Sequence, residues 1–145
     1  MKAWLVNSNS NPNNKAPHCF EYMLRHNKVA AYYDDWNKQI DDIARGDLVL
    51  LYHNDNRIIA VGCVTKGYEP HDFQQCMNDI EHWADVNWIW KASFSEKNGI
   101  FNPLNPIIRT EELGIPMVNG TVINISNSLN HKLLLEEIAK RQTYM

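Results

Sequence analysis

The chain has 145 residues, of which 44% are hydrophobic and 21% charged, an ordinary composition for one globular domain spanning residues 1–145. Its net charge of −3 argues against a domain that grips long duplex DNA through phosphates alone, because such domains are normally basic. No apolar run is long enough to span a membrane, and the N-terminus carries no signal-peptide core, which predicts a cytoplasmic protein with no membrane partner. The three cysteines form no Cys-x-x-Cys pair, so neither a disulfide framework nor a metal site is expected.

The first third of the chain predicts a short strand, a polar loop and a short helix. Residues 2–6 form the strand, and the Asn- and Ser-rich run 7–14 ends it with side chains that bond to nearby backbone or to a ligand. Residues 16–28 place their apolar side chains on one helical face. An aromatic segment, residues 31–36, then leads into a predicted helical turn over 37–44.

The middle of the chain predicts two buried strands joined as a hairpin. A Gly46-Asp47 turn begins an unbroken apolar run over residues 48–52, which is typical of a strand buried on both faces. Residues 53–57 form a hairpin loop, and a second apolar strand follows over 58–64. The first of these strands is expected to lie at the centre of a sheet.

The rest of the chain alternates short strands with loops and ends in a helix. The predicted elements are a loop or short helix over 71–82, a strand over 87–94, a loop over 99–106, short strands over 106–109 and 122–125, a helical turn over 110–113, and a helix over 129–141 capped by Ser126 or Ser128. Five or six short strands without long βαβ alternation predict an α+β fold, a small mixed β-barrel with flanking short helices.

Catalysis has little support in the sequence. The pairs His71-Asp72 and Glu81-His82 are adjacent, and neighbours in sequence do not face each other on a helix. No hydrolase, metalloprotease or phosphate-loop motif is present, and a Cys76/His82 pair lacks a third, orienting residue. We therefore predict no catalytic residue, no metal and no cofactor.

Several segments together resemble the PUA-like superfamily, and within it the EVE and YTH-like domains. They are the opening Ala-Trp-Leu-Val-Asn-Ser, Trp36 before the helical turn, Ile-Ala-Arg-Gly-Asp-Leu-Val-Leu-Leu-Tyr-His, Ile-Ile-Ala-Val-Gly-Cys-Val, Val-Asn-Trp-Ile-Trp, and Asn-Pro-Ile-Ile-Arg-Thr-Glu-Glu-Leu. The likeness covers about residues 2 to 115. It implies a PUA-like barrel that accepts a flipped, modified base.

The resemblance also implies which residues would bind that base. YTH domains hold a methylated base in a cage of aromatic side chains, and the positions that match here are Trp36 and Trp83. Polar residues just after the first strand meet the base edge, which maps onto Asn7, Ser8, Asn9 and Ser10. Tyr33 and His53 complete the set of base-binding candidates. The chain departs from YTH domains at Asn7, where a lysine is common.

Each candidate has a simpler structural alternative. Trp4, Trp88 and Trp90 lie within strand patterns and are expected to pack in the core. His53 follows a buried strand, where a satisfied core histidine is more frequent than a ligand contact. Trp36 and Trp83 lie in polar surroundings, which leave a structural and a functional role equally open, and the resemblance favours the functional role.

The function that follows is a non-catalytic reader of a methylated adenine or cytosine. The resemblance to EVE domains favours DNA over RNA, a link to a restriction or defence system, and a nuclease or GTPase as partner. The alternatives are a PUA-like RNA-binding accessory module that takes no modified base, and a protein-interaction domain whose aromatic patch contacts a peptide.

Overall fold

A computed structural model of the protein describes residues 1–8, 19–31, 37–53, 57–69, 81–92, 94–97, 100–103, 108–115 and 122–142. Its strands are β1 (Ala3–Asn7), β2 (Lys28–Ala31), β3 (Leu48–His53), β4 (Arg57–Lys66), β5 (His82–Lys91), β6 (Phe94–Lys97), β7 (Ile100–Pro103), β8 (Ile108–Arg109) and β9 (Val122–Asn124). The helices are α1 (Cys19–His26) and α2 (His131–Gln142), together with a first 3₁₀ helix (Asn37–Asp42) and a second (Thr110–Leu113).

Seven of these strands form one curled, mixed sheet in the order β2-β5-β4-β3-β1-β9, with β8 paired to β4. The pair β1–β3 is parallel and the other pairs are antiparallel. Strands β6 and β7 form a separate two-stranded ribbon. The α+β prediction is therefore confirmed, as a curled half-barrel with short helices. The assignment to the PUA-like barrels stays a prediction.

Strand β3 is the centre of the core, as its apolar run predicts. It lies between β4 and β1, and all six of its residues are buried. Leu50 and Leu51 have no exposed surface. The predicted hairpin is also confirmed, since Tyr52 pairs with Ile58 across it.

The two α-helices each bury one apolar face against this sheet. Helix α1 contributes Phe20 and Met23 to the core, and α2 contributes Leu134 and Ile138. The N-cap of α2 is Asn130, whose Oδ1 accepts a hydrogen bond from the Leu133 amide at 3.1 Å, and not Ser126 or Ser128 as predicted. In the part of the chain that the structure describes, no helix is long and apolar enough to cross a membrane.

The Gly46-Asp47 turn fixes the start of β3 to the start of β1. Gly46 has a φ of +91°, a conformation that favours glycine. The buried carboxylate of Asp47 accepts hydrogen bonds from the Lys2 amide (3.0 Å), the Ala44 amide (3.0 Å) and Trp4 Nε1 (2.9 Å). Burial raises the pKa of Asp47, but these donors outweigh that effect and hold the pKa below its usual value.

The first 3₁₀ helix connects the edge strand β9 to strand β5, which lies next to the opposite edge strand β2. The side-chain oxygen Oε1 of Gln39 accepts a hydrogen bond from the Val122 amide of β9 at 3.1 Å. Asp41 on the same helix lies with its Oδ1 2.7 Å from Nδ1 of His82 on β5. Ile40 between them is fully buried. The predicted helical turn in this region is thus confirmed. It links β9 and β5, which lie on opposite sides of the sheet, through one hydrogen bond to each.

Three parts of the sheet differ from the sequence prediction. The sequence predicts a helix that ends at residue 28 and an aromatic segment that begins at residue 31, whereas residues 28–31 form strand β2, which pairs with β5 through all four of its residues. Strand β5 begins at His82 and not at residue 87, because β2 and β4 both extend along it. Residues 100–103, predicted as loop, form a strand that pairs with β6.

Candidate functional site

An aromatic corner lies at the start of β5. The half-buried Trp83 meets Tyr68 edge-on, with ring centroids 5.9 Å apart and planes inclined by 72°. The same Tyr68 ring stacks on His82 with centroids 4.0 Å apart. Because the hydrogen bond to Asp41 also fixes His82, the imidazole connects the aromatic corner to the first 3₁₀ helix.

A buried ion pair lies behind Trp83. Lys28 is 5% exposed and Glu81 is fully buried, and their charged ends are in direct contact. The Lys28 ammonium lies over the Trp83 ring, 4.8 Å from its centroid, which is a cation–π contact. We call Lys28, Tyr68, Glu81, His82 and Trp83 the Trp83 cluster. Sequence inspection singled out Trp83, but nothing in the local pattern of Lys28 or Tyr68 predicts that they meet it.

The other candidates that the structure describes lie at the ends of β1 and β3. Ser8 is buried, and both its amide and its hydroxyl donate to the Tyr52 carbonyl oxygen at 2.8 Å. Its hydroxyl group therefore donates its proton within the sheet and cannot donate to a ligand. His53 is buried and stacks on Phe20 with ring centroids 4.7 Å apart, which is the core position that its sequence allowed. Asn7 is half-buried beside Tyr52.

Along β4 these two groups of candidates lie at opposite ends, but the first 3₁₀ helix connects their surroundings across the curled sheet. His53 pairs with Arg57 at one end of β4, and Asp85, two residues after Trp83, pairs with Lys66 at the other end. Val122, which pairs with Val6 next to Asn7, donates to Gln39, and Asp41 of the same helix contacts His82 next to Trp83. The remaining candidates, Trp36, Tyr33, Asn9 and Ser10, lie outside the described residues.

Two arginines meet at the His53 end of the sheet. Arg57 of β4 pairs directly with Arg109 of β8, and Arg57 also pairs with His53 of β3. The pairing thus places two cationic side chains at neighbouring positions of the sheet. Arg109 was not among the predicted site residues, because the two arginines are far apart in sequence.

An apolar groove of about 410 Å³ lies between α2 and the sheet. It is lined by Met1, Leu48, Val61, Ile89, His131, Leu134, Leu135 and Ile138. Its walls are mainly aliphatic, so they lack the broad aromatic faces on which a base stacks. Among the described residues, no group of three or more His, Cys, Asp or Glu side chains is placed to hold a metal ion.

Comparisons with known proteins relate the chain to one sequence family and to several structures. The family described as "Domain of unknown function (DUF8426)" matches residues 7–103. No curated protein sequence matches significantly.

Three solved structures share the fold. An Mmi1 YTH domain in complex with RNA aligns with a TM-score of 0.56 and 9% identity, over 99% of this chain and 80% of that one. A hypothetical protein from Leishmania major aligns with a TM-score of 0.53 and 12% identity, over 98% and 97% of the two chains. Rpa0253 from Rhodopseudomonas palustris aligns with a TM-score of 0.51 and 13% identity, over 97% and 94%. The resemblance to YTH domains is thus confirmed at the level of the fold, and the resemblance to EVE domains stays a prediction.

Proposed function

The chain belongs to the family described as a domain of unknown function (DUF8426), and we propose that it is a non-catalytic nucleic-acid-binding domain that reads a flipped, modified base. The observation that carries the proposal is the half-exposed Trp83, held in an aromatic corner on a fold shared with a YTH domain solved with RNA. A flipped base has lost its stacking neighbours, and an aromatic side chain replaces one of them.

The proposed cage consists of Trp83 and Trp36. Asn37, the residue after Trp36, begins the 3₁₀ helix whose Asp41 contacts His82, which supports placing the two indoles in one cavity. Stacking on an aromatic side chain contributes about 1–3 kcal/mol per base. A methyl group buried against indole adds only about 1 kcal/mol. Modification alone therefore discriminates by only about five-fold in such a pocket, because ten-fold requires about 1.4 kcal/mol.

The polar residues after β1 are proposed to recognise the base edge. Asn7, Asn9 and Ser10 supply amide and hydroxyl groups, and a wrong base would leave such buried groups without partners. The Ser8 hydroxyl can only accept a hydrogen bond from the base, because it donates its own proton to the Tyr52 carbonyl oxygen. Tyr33 and His53 stay proposed members of the site.

Phosphate contacts are proposed to be few and local. The net charge of −3 argues against an extensive phosphate interface, and the paired Arg57 and Arg109 supply positive charge at the His53 end of β4. The logarithm of affinity should therefore fall with the logarithm of salt with a slope of magnitude about 2–4.

The nucleic acid is proposed to be DNA, in a restriction or defence setting with a nuclease or GTPase, on the resemblance to EVE domains alone. The YTH structure with RNA makes RNA the necessary comparison. Each modification should therefore be tested in both backbones.

The test is a fluorescence titration of short DNA and RNA oligonucleotides at two salt concentrations. The oligonucleotides carry N6-methyladenine, 5-methylcytosine, 5-hydroxymethylcytosine or no modification. One modified oligonucleotide should bind at least several-fold tighter than the unmodified one, and this ratio should persist at the higher salt. Equal binding that vanishes as salt rises would instead favour the RNA-accessory or protein-interaction alternatives.

Two variants test whether the modified base binds in the proposed cage. Trp36→Ala and Trp83→Ala should each weaken binding of the preferred oligonucleotide by about 1–3 kcal/mol, the stacking contribution. The matched control is Trp88→Ala, which removes a half-buried indole from the same strand outside the Trp83 cluster. If a folded Trp83→Ala protein binds as tightly as wild type, Trp83 is not part of the site.

A further inference from the structure

The Lys28 side chain crosses the β2–β5 pair behind Trp83. Lys28 lies opposite Asp85, and Ala30 lies opposite Trp83, so the next position on the same face of β2 is small. From Lys28 the stem extends along the strand pair until its ammonium lies over the Trp83 ring and contacts Glu81. Both charged residues are buried, so this arrangement is part of the packed structure.

Such a pair needs a reason, because buried ion pairs are often no more stable than apolar side chains of the same volume. Here the pair fixes a positive charge against one face of an indole. The ring quadrupole that attracts a cation is thus already engaged by the protein's own ammonium.

We propose that Lys28 makes Trp83 selective for neutral modified bases and against cationic ones. This inference rests on the proposed function, in which a base stacks on Trp83. Bases methylated on an exocyclic nitrogen or on carbon, such as N6-methyladenine and 5-methylcytosine, are neutral at pH 7. Bases methylated on a ring nitrogen, such as 1-methyladenine and 3-methylcytosine, carry a positive charge at that pH.

The size of the effect follows from the geometry. A base stacks about 3.5 Å from a ring, which would place a cationic base about 8 Å from the Lys28 ammonium. Two positive charges at that separation repel, and the Glu81 carboxylate in contact with Lys28 offsets part of this repulsion, so affinity for a cationic base should fall by roughly several-fold. A neutral base escapes this repulsion and stacks on the same face.

The experiment compares pairs of methylated bases that differ in the position of the methyl group and in charge. Wild-type protein is titrated at pH 7 with oligonucleotides carrying N6-methyladenine or 1-methyladenine, and 5-methylcytosine or 3-methylcytosine. For the preferred base, the neutral isomer should bind at least several-fold tighter. A cationic isomer that binds as tightly or more tightly overturns the inference and leaves the proposed function standing. If no modified base is preferred over its unmodified form, the proposed function fails first.

The two isomers also differ in shape, so the wild-type ratio alone does not show that charge is the cause. A double variant that keeps the net charge tests whether Lys28 is responsible for the selectivity. Lys28→Met with Glu81→Gln removes both charges at constant length, and the neutral-to-cationic affinity ratio should fall at least several-fold. The matched control, Lys140→Met with Glu137→Gln, removes a second Lys–Glu pair, on α2, and should leave the ratio unchanged.

A failure to fold would not end the test. If circular dichroism shows that the first double variant is unfolded, Lys28→Leu with Glu81→Leu replaces the pair by apolar side chains. An unchanged ratio in a folded variant of either kind refutes the role of Lys28.

Discussion

The Asp47 carboxylate should contribute a large and pH-dependent share of the stability. It receives three N–H donors at 2.9–3.0 Å, two from backbone amides and one from the Trp4 indole. Asp47→Asn keeps the shape but turns one acceptor oxygen into a donor, which faces one of these N–H groups. One charge-assisted hydrogen bond is lost and the other two are weakened, so we expect a cost of about 2–4 kcal/mol at pH 7.

The pH dependence has a defined sign. The pKa of Asp47 is lowered in the folded state from an ordinary value of 3.8, so folding favours the charged form. The stabilisation is therefore fully present above that value and is lost as the pH falls through the lower, folded pKa. The stability gap between wild type and Asp47→Asn should be constant near neutrality and should narrow below about pH 3.8.

Urea denaturation at several pH values measures this gap. Asp42→Asn is the matched control, because Asp42 is an exposed carboxylate on the neighbouring 3₁₀ helix, and its substitution should change stability by less than about 0.5 kcal/mol. Equal stability of wild type and Asp47→Asn at pH 7 would refute the reasoning. So would a gap that stays constant down to acidic pH.

Two further predictions concern the sheet. Leu50→Ala should lower the free energy of unfolding by about 2–5 kcal/mol, because Leu50 is fully buried on the central strand, whereas the control Leu135→Ala removes a side chain that is 69% exposed and should cost little. A loss below about 0.5 kcal/mol for Leu50→Ala in the same denaturation assay would show that β3 is peripheral. Gly62→Ala should cost about 1–3 kcal/mol, because the added Cβ would lie 2.8 Å from the Asn87 carbonyl oxygen and 2.9 Å from the Trp88 ring. A melting temperature equal to that of wild type would mean that β4 and β5 separate easily at this point.

The sequence predicted the elements whose signals are local. The apolar run of β3, the turn before it and the hairpin into β4 all follow from neighbouring residues. Helix α2 follows from its periodic leucines, although its cap was misplaced because Ser126 and Ser128 compete with Asn130 as capping residues. The first 3₁₀ helix was also predicted correctly, because its signal is likewise local.

What the sequence did not reveal depends on pairing between distant segments. Strand β2 has four residues and begins with a lysine, so its sequence lacks the pattern of a strand. Its strand conformation depends on pairing with β5. The ion pair of Lys28 with Glu81 and the row of Arg57 with Arg109 each join segments more than fifty residues apart. Of the candidate site, Trp83 was placed beside aromatic partners, whereas its relation to Trp36 remains a prediction.

The bridge between β9 and β5 has a consequence for the kinetics of binding. The first 3₁₀ helix reaches two strands on opposite sides of the sheet through side chains, Gln39 to β9 and Asp41 to β5. Contacts of this kind open at a lower free energy than the backbone ladders of a sheet. We therefore expect amides near this helix to exchange with solvent sooner than those of β3. A ligand held between this helix and β5 would leave at a rate set by the opening of the bridge, while the sheet itself stays folded.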